Sequence, residues 1–189
     1  MHVPQANTKT AKNMDNFIVL TGGPGGGKTS IIEALRQLGY PVVEETGRSM
    51  IRERLNRGLS PRPEPAEFAR LLFETDLEHY RRLAGSKELT FFDRSFLDGA
   101  CLLAGVNKTY YEHIGATLKS CRFNRRVFIT PPWKDIYCND GERDQTFEEA
   151  VASYETLDAW YRKMGYEPEA VPFGSVGDRV EYILRSIGL

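Results

Sequence analysis

The sequence has few cysteines, no long apolar run and no excess of charge of either sign. Its three cysteines, Cys101, Cys121 and Cys138, lack the close spacing of a zinc site, so we predict free thiols. The 25 Lys and Arg residues balance 26 Asp and Glu residues, which leaves no global basic field for nucleic acid. No stretch has the length and apolarity that crossing a bilayer requires. We therefore expect a cytoplasmic protein that binds neither membranes nor nucleic acid.

The order of apolar runs and helical patterns indicates one α/β domain. Residues 1–14 are polar and are predicted to form a flexible tail, while residues 15–189 have enough apolar content for one core. Helical patterns separate the runs and predict a parallel sheet covered on both faces, a three-layer α/β/α fold that binds ligands at the carboxyl ends of its strands. The five predicted strands are 17–20, 41–43, 89–92, 126–130 and 170–173.

A glycine-rich segment lies between the first predicted strand and a helical pattern, and it matches the phosphate-binding loop G-x-x-x-x-G-K-[ST]. Glycines let the backbone wrap closely around phosphate, and Lys28 adds positive charge near the terminal phosphates. Thr29 is predicted to bind Mg²⁺ through its hydroxyl. The segment therefore predicts a nucleoside triphosphate site made of Gly22, Gly23, Pro24, Gly25, Gly26, Gly27, Lys28, Thr29 and Ser30.

Charged side chains also follow the third predicted strand. Asp93 stands where a Walker B carboxylate would hold Mg²⁺ directly or through water, although a strand-end or helix-capping Asp is an alternative. Arg94 could reach a phosphate or pair with a nearby glutamate. This strand end is thus a second candidate element of the site.

Two adjacent carboxylates, Glu44 and Glu45, end the second predicted strand. Because successive side chains of a strand point to opposite faces, only one of them should face the cleft. We choose Glu45 as the group that accepts the proton of an acceptor hydroxyl. The alternative is that both glutamates only pair with Arg48 or Arg52.

The segment from about 133 to 146 is rich in charges and turn formers and is predicted to be a mobile lid. Arg143 within it could stabilise charge on a transferring phosphate, whereas a solvated surface loop explains the segment equally well. After the fifth predicted strand, Ser175 and Val176 are predicted to contact the nucleotide base. Ser175 also suits a helix N-cap, so this assignment has an alternative.

With these motifs in place, the sequence resembles the NadR-like AAA-domain family of P-loop ATPases and kinases over about residues 16–187. Asp93-Arg94-Ser95 is also similar to the acidic-Arg-Ser motif of deoxynucleoside kinases. The resemblance implies a P-loop fold with strand order 2-3-1-4-5 and small-molecule phosphoryl transfer. The E-x-x-R-like and D-R-like segments of the family correspond here to Glu45, Arg48, Asp93 and Arg94.

Two functions remain open at this point. The first is a kinase that uses ATP and Mg²⁺ to phosphorylate a hydroxyl of a nucleoside-like metabolite. The second is a regulatory ATPase or GTPase switch, or a binding module, whose partner affinity depends on the nucleotide. The Asn-Lys-x-Asp motif of guanine binders is absent, which favours ATP. In the kinase, the catalytic side chains would be Lys28, Glu45, Asp93, Arg94 and Arg143.

Overall fold

The centre of the molecule is a five-stranded parallel sheet, as seen in a computed structural model that describes residues 12–137 and 146–189. Lys12–Met14, at the end of the predicted tail, forms a strand, and residues 1–11 lie outside the described part of the chain. The strands are β1 (Lys12–Met14), β2 (Phe17–Gly22), β3 (Val42–Val43), β4 (Thr90–Asp93), β5 (Cys121–Phe123), β6 (Arg126–Thr130) and β7 (Glu167–Ala170).

The strand order of the main sheet is β3-β4-β2-β6-β7, and all neighbouring strands are parallel. Counted along the chain within this sheet, the order is 2-3-1-4-5, which confirms the prediction. Strands β1 and β5 form a separate two-stranded parallel sheet that the apolar pattern does not predict. Because parallel strands end at one edge, the carboxyl ends of β2, β3 and β4 lie together there.

Helices cover both faces of the main sheet. Apolar side chains of the first and last helices pack on one face, and those of the third, fourth and seventh helices pack on the other. None of the helices in the described ranges could span a bilayer. They are α1 (Lys28–Gln37), α2 (Thr46–Asn56), α3 (Pro65–Leu83), α4 (Phe96–Val106), α5 (Lys108–His113), α6 (Gly115–Ser120), α7 (Phe147–Lys163) and α8 (Val176–Ser186), with a 3₁₀ helix at Lys134–Ile136.

Aromatic rings fill the core between the sheet and α3 and α4. The Phe17 ring of β2 packs edge-on against Tyr80 at a centroid distance of 5.6 Å and lies 5.1 Å from Phe92 of β4. Phe123 of β5 lies 5.0 Å from both Tyr80 and Phe96. Aromatic pairs add specific geometry to the area that they bury. These contacts therefore fix the position of α4 against the sheet, and with it the residues that follow β4.

Capping boxes begin two of the helices that follow site segments. The Thr146 hydroxyl accepts from the Glu149 N–H, and Glu149 accepts from the Thr146 N–H at 2.7 Å, so the predicted start of α7 is confirmed. At the start of α4, Ser95 and Asp98 make the same pair of bonds. A capping box satisfies two backbone donors at once and holds the helix start in a defined position.

The fifth strand lies earlier than the sequence predicts. The apolar run 170–173 is the predicted strand, but β7 covers Glu167–Ala170 and pairs with β6 from Arg126 opposite Glu167 to Ile129 opposite Ala170. This strand is at the sheet edge, where charged side chains remain in solvent and Arg125 pairs with Glu167 at 2.9 Å. An edge strand therefore lacks the apolar pattern on which the prediction depended.

Helices α3 and α4 approach closely at Gly99. A Cβ atom at Gly99 would lie 2.7 Å from the backbone nitrogen of Phe73 and 2.9 Å from its Cα. Backbone atoms of a packed helix cannot move aside cheaply, so this position accepts only glycine without a rearrangement. Gly105, in the same helix, has no heavy atom within 4 Å of the corresponding position.

Gly99→Ala should lower the free energy of unfolding by about 1–3 kcal/mol because it forces α3 and α4 apart. Urea denaturation measures this change. The matched control is Gly105→Ala, which should be neutral or stabilising by about 1 kcal/mol because alanine is the better helix former. Equal effects of the two substitutions would show that the contact between the helices does not constrain residue 99.

Candidate active site

The phosphate-loop segment connects the end of β2 to the start of α1, as its motif requires. Gly27 precedes the helix with φ of 72°, a left-handed conformation that glycine adopts without strain. A Cβ atom there would also lie 2.6 Å from Nη1 of Arg179. Residues 23–30 line one end of a large cavity, so the backbone N–H groups at the start of α1 lie beside it.

Lys28 is buried, with 6% of its side chain exposed, and it lies between two carboxylates. Its amine contacts Oδ1 of Asp93, the last residue of β4, and lies 3.5 Å from Oε2 of Glu45. A buried ammonium group requires such partners because the loss of hydration is costly. The structure thus brings together the ends of β2, β3 and β4 around a single amine.

The two glutamates after β3 have different environments. Glu44 is 69% exposed, pairs with Arg36 at 2.9 Å and is not one of the residues that line the cavity. Glu45 is 16% exposed, lines the cavity and pairs with Arg48 at 3.2 Å. The pairing with Arg48 agrees with the structural alternative, but Glu45 also contacts the phosphate-loop lysine. Its position is therefore compatible with both a structural and a chemical role.

Arg94 adopts φ of 69°, a left-handed conformation that is uncommon for a residue other than glycine. Its N–H donates to the Leu20 carbonyl at 2.9 Å, and its side chain pairs with Glu45 at 3.1 Å and Asp98 at 3.3 Å. Burial lowers the pKa of Arg94, but Glu45 and Asp98 outweigh it and raise the pKa, so the guanidinium stays charged. Strained residues persist only where surrounding contacts determine their conformation.

Asp98 is a buried carboxylate that the sequence analysis missed. It accepts from the Thr21 hydroxyl at 2.6 Å, the Tyr161 hydroxyl at 2.7 Å and the Ser95 N–H at 3.1 Å. These donors leave Asp98 in a single orientation, in which it also accepts from Arg94. The capping box at Ser95 was the available sequence signal, since a serine followed three residues later by an acid marks a helix start.

The pKa values of two carboxyl groups in the site, Glu45 and Asp76, are shifted in opposite directions. Burial raises the pKa of Glu45, but the charges of Arg94, Lys28 and Arg48 outweigh it and lower the pKa from 4.5 to about 2. For Asp76, on α3, burial dominates and raises the pKa from 3.8 to about 7. The site therefore holds one carboxylate that stays ionised at neutral pH and one carboxyl group that titrates near it.

Aromatic and basic side chains also lie near the phosphate loop. The Trp133 ring, which follows β6, stacks on Phe173 at a centroid distance of 5.0 Å. Arg179 of α8 is buried, its Nη2 donates to the Gly26 carbonyl at 2.7 Å, and its guanidinium lies 5.8 Å from the Trp133 ring. No sequence motif marks Arg179, because a lone arginine in the first turns of a helix has no characteristic spacing.

Several predicted residues stand outside this cluster or outside the described residues. Ser175 caps α8 through a capping box with Asp178, and it lines the cavity together with Val176. Arg143 and most of the predicted lid belong to residues 138–145, which the structure does not describe. The described parts of that segment are the 3₁₀ helix with its flanking residues and the start of α7.

A cavity of about 1230 Å³ continues from the phosphate loop to a space between α2, α3 and α4. We call its two parts the loop end and the helical end. The loop end is lined by residues 23–30, Trp133, Ser175, Val176 and Arg179. Residues of α2, α3 and α4 and the segments before them line the helical end, among them Glu45, Thr46, Arg48, Ile51, Arg62, Phe68, Leu72, Asp76, Arg94, Asp98, Leu102 and Val106. Helix α7 contributes Glu149, Ala152, Ser153, Thr156 and Leu157 to the cavity lining.

The predicted magnesium ligands Thr29 and Asp93 supply oxygen atoms, which are the donors that Mg²⁺ prefers. Among the described residues, no cluster of three or more His, Cys, Asp and Glu side chains could hold a metal by itself. Mg²⁺ is usually bound by one or two protein oxygens together with phosphate oxygens and water. The donor set therefore suits a metal that arrives with a nucleotide.

Comparison with known families and proteins gives one family match. A family model described as an AAA domain matches residues 17–179, a span that includes the phosphate loop and ends in α8. No curated protein sequence matches the chain.

Three solved kinase-related structures share the fold. The deoxyadenosine kinase from M. mycoides with bound dATP has a TM-score of 0.58 at 16% identity, and the match covers 92% of this chain and 100% of that chain. Thymidylate kinase from Ehrlichia chaffeensis has a TM-score of 0.60 at 14% identity, and the match covers 93% of this chain and 98% of that chain. The NadR protein in complex with NR has a TM-score of 0.66 at 14% identity, and the match covers 92% of this chain and 52% of that chain. At these identities the likeness establishes the fold alone, that of P-loop kinases.

Glu45 should make the free energy of unfolding depend on pH in the acid range. Its folded-state pKa of about 2 lies below the ordinary 4.5, so it stabilises the fold above pH 4.5, and this stabilisation is lost as the pH falls toward 2. The shift corresponds to stabilisation on the order of 3 kcal/mol. Urea denaturation should therefore show a deficit of Glu45→Gln that is large at about pH 7 and narrows toward about pH 3. The control Glu44→Gln should show no such change, and a constant deficit of Glu45→Gln would contradict the coupling.

Proposed function

We propose that this chain, which belongs to the AAA-domain family, is a kinase that transfers the γ-phosphate of ATP to a hydroxyl of a small nucleoside-like molecule. The shared fold with P-loop kinases supports this proposal, as does the phosphate loop between β2 and α1. A hydrolase or a switch would need only the loop end of the cavity. A kinase also needs room for a second substrate beside the terminal phosphate.

The continuity of the cavity carries the proposal. The helical end meets the loop end at Lys28, Glu45 and Arg94, all of which line the cavity. A molecule in the helical end would therefore lie next to the group that contacts the terminal phosphates. The cavity of about 1230 Å³ exceeds the roughly 300–1,000 Å³ of a typical single-ligand pocket, and helices with apolar side chains form part of its wall.

Lys28 and the loop N–H groups bind the triphosphate in this proposal. Lys28 already contacts Asp93 and Glu45, so phosphate oxygens would compete with these carboxylates for its amine. Thr29 and Asp93 would hold Mg²⁺, which would offset the negative charge of the phosphate groups. Ser175 and Val176, beside Trp133, would contact the base, and Arg143 would reach the transferring phosphate from the lid.

Glu45 orients the acceptor hydroxyl. With a pKa of about 2 it is ionised at neutral pH, and its oxygen atoms can accept the hydroxyl hydrogen bond. A group of such low pKa is a weak base, but a loose phosphoryl-transfer transition state requires little removal of the proton beforehand. Arg94 holds Glu45 in place at 3.1 Å and supplies positive charge where negative charge develops.

Labelled ATP with Mg²⁺ and a panel of nucleosides and other small hydroxylated molecules tests the activity. Label should pass to at least one acceptor with wild-type protein, and Lys28→Ala should abolish the transfer because it removes the charge at the terminal phosphates. ATP bound without any labelled acceptor, together with slow phosphate release, would refute the kinase and favour a nucleotide-dependent switch.

Glu45→Gln should lower kcat by about 10- to 100-fold while ATP affinity changes little, because the neutral amide holds the acceptor hydroxyl and Arg94 more weakly than the carboxylate does. Steady-state kinetics and calorimetric titration of ATP measure the two quantities. The matched control is Glu44→Gln, which alters an exposed neighbour that pairs with Arg36 and should retain full turnover. Unchanged turnover in Glu45→Gln would remove Glu45 from the mechanism.

A further inference from the structure

Asp76 faces the helical end of the cavity without a counter-ion of its own. The Thr46 hydroxyl donates to its Oδ1, and within residues 12–137 and 146–189 no lysine or arginine forms an ion pair with it. Burial raises the pKa of Asp76 to about 7; the Thr46 hydrogen bond and the charge of Arg94 oppose that change, and the charges of Asp98 and Glu45 add to it. One carboxyl oxygen is thus held by Thr46, and the other is available to a molecule in the cavity.

The cations that line this end of the cavity, Arg48 and Arg94, already pair with other carboxylates. Arg94 pairs with both Glu45 and Asp98, and Arg48 pairs with Glu45. Arg62 also lines the cavity, but it is exposed at the rim, where water and salt screen its charge. At this end of the cavity the two guanidinium groups of Arg48 and Arg94 are thus shared among three carboxyl groups, those of Glu45, Asp76 and Asp98, so a phosphate or carboxylate placed beside Asp76 would add to an excess of negative charge.

Five of the side chains that line the helical end are apolar. Ile51 of α2, Phe68 and Leu72 of α3, and Leu102 and Val106 of α4 line this end of the cavity. Leu102 and Val106 are each 47% exposed, so apolar surface remains uncovered beside the carboxyl group. Such a surface gains by burying a ring or another apolar body, and a single polar group in it fixes the orientation of the ligand.

We propose that Asp76 makes the helical end selective for an acceptor without negative charge. The acceptor carries a ring, which packs on the apolar walls, and a hydroxyl or N–H group, which donates a hydrogen bond to Asp76. A nucleoside fits this description, and nucleoside monophosphates and ring carboxylates do not. The inference rests on the proposed kinase function for its identification of the ligand as the acceptor, and it extends that function to a substrate class and a specificity-determining residue.

Direct binding tests this selectivity without turnover. Calorimetry without ATP compares adenosine, guanosine, cytidine and uridine with their 5′-monophosphates and with shikimate, on wild type and Asp76→Asn. The control Glu78→Gln removes an exposed carboxylate from the same helix and should match wild type. Thr46→Val provides a second variant, because it removes only the donor that orients Asp76. Urea denaturation checks that each variant is folded.

At least one nucleoside should bind wild type, and the affinity for its 5′-monophosphate should be lower by a factor of at least about 10. At about pH 8, where the Asp76 carboxyl is mostly ionised, Asp76→Asn should weaken nucleoside binding by about 10- to 100-fold, as expected for a lost hydrogen bond to a charged group. It should strengthen monophosphate binding, so the ratio of the two affinities moves in a direction that simple loss of structure would not produce. In turnover assays, the nucleoside KM should rise while kcat changes little. Thr46→Val should shift the ratio in the same direction by a smaller factor.

Tighter binding of a monophosphate or of shikimate than of every nucleoside would overturn the inference, as would an unchanged ratio in Asp76→Asn or failure of all probes to bind. The outcome is separable from that of the kinase proposal. Lys28-dependent labelling of a monophosphate would leave the kinase standing and refute the selectivity. Selective nucleoside binding that depends on Asp76, without transfer of label to any acceptor, would support the pocket and refute the kinase.

Discussion

Charges removed from water at the carboxyl edge of the sheet constrain the whole site. Lys28, Glu45, Asp93 and Asp98 are buried or nearly so, and each lies beside a group of opposite charge or a set of hydrogen-bond donors. A buried ionic group that loses its partner is strongly destabilising, because nothing replaces its hydration. The end of each contributing strand must therefore be in register with the others. The uncommon backbone conformation of Arg94 is compatible with this requirement, since it brings one guanidinium to two carboxylates.

The central part of the fold follows from local sequence patterns, and the periphery does not. Strands buried on both faces are continuous apolar runs, so the segments Phe17–Gly22 and Arg126–Thr130 could be recognised from sequence. The order 2-3-1-4-5 came from family resemblance, because periodicity carries no information about which strands are neighbours. The edge strand Glu167–Ala170 was misplaced by three residues, since its pattern is polar and the apolar residues beyond it belong to the following loop.

The same distinction holds for the candidate site. Lys28 and Asp93 are tied to a motif or a strand end, and the structure brings both into one contact. Asp76 and Arg179 lie within helices and have no local signature, because their importance arises from what the folded chain packs against them. The choice between Glu44 and Glu45 could be predicted only in part. Alternation predicts that one faces inward, and only the tertiary contacts identify which.

The site residues come from distant parts of one chain, since β2, β4 and α7 contribute Thr21, Asp93 and Tyr161. A partly folded chain would contain the phosphate-loop sequence but no cavity. A ligand that binds only the complete fold stabilises the domain as a whole by mass action. Nucleotide would then protect distant helices from proteolysis as well as the loop that it touches. The cellular lifetime of this protein would therefore rise and fall with its ligand supply.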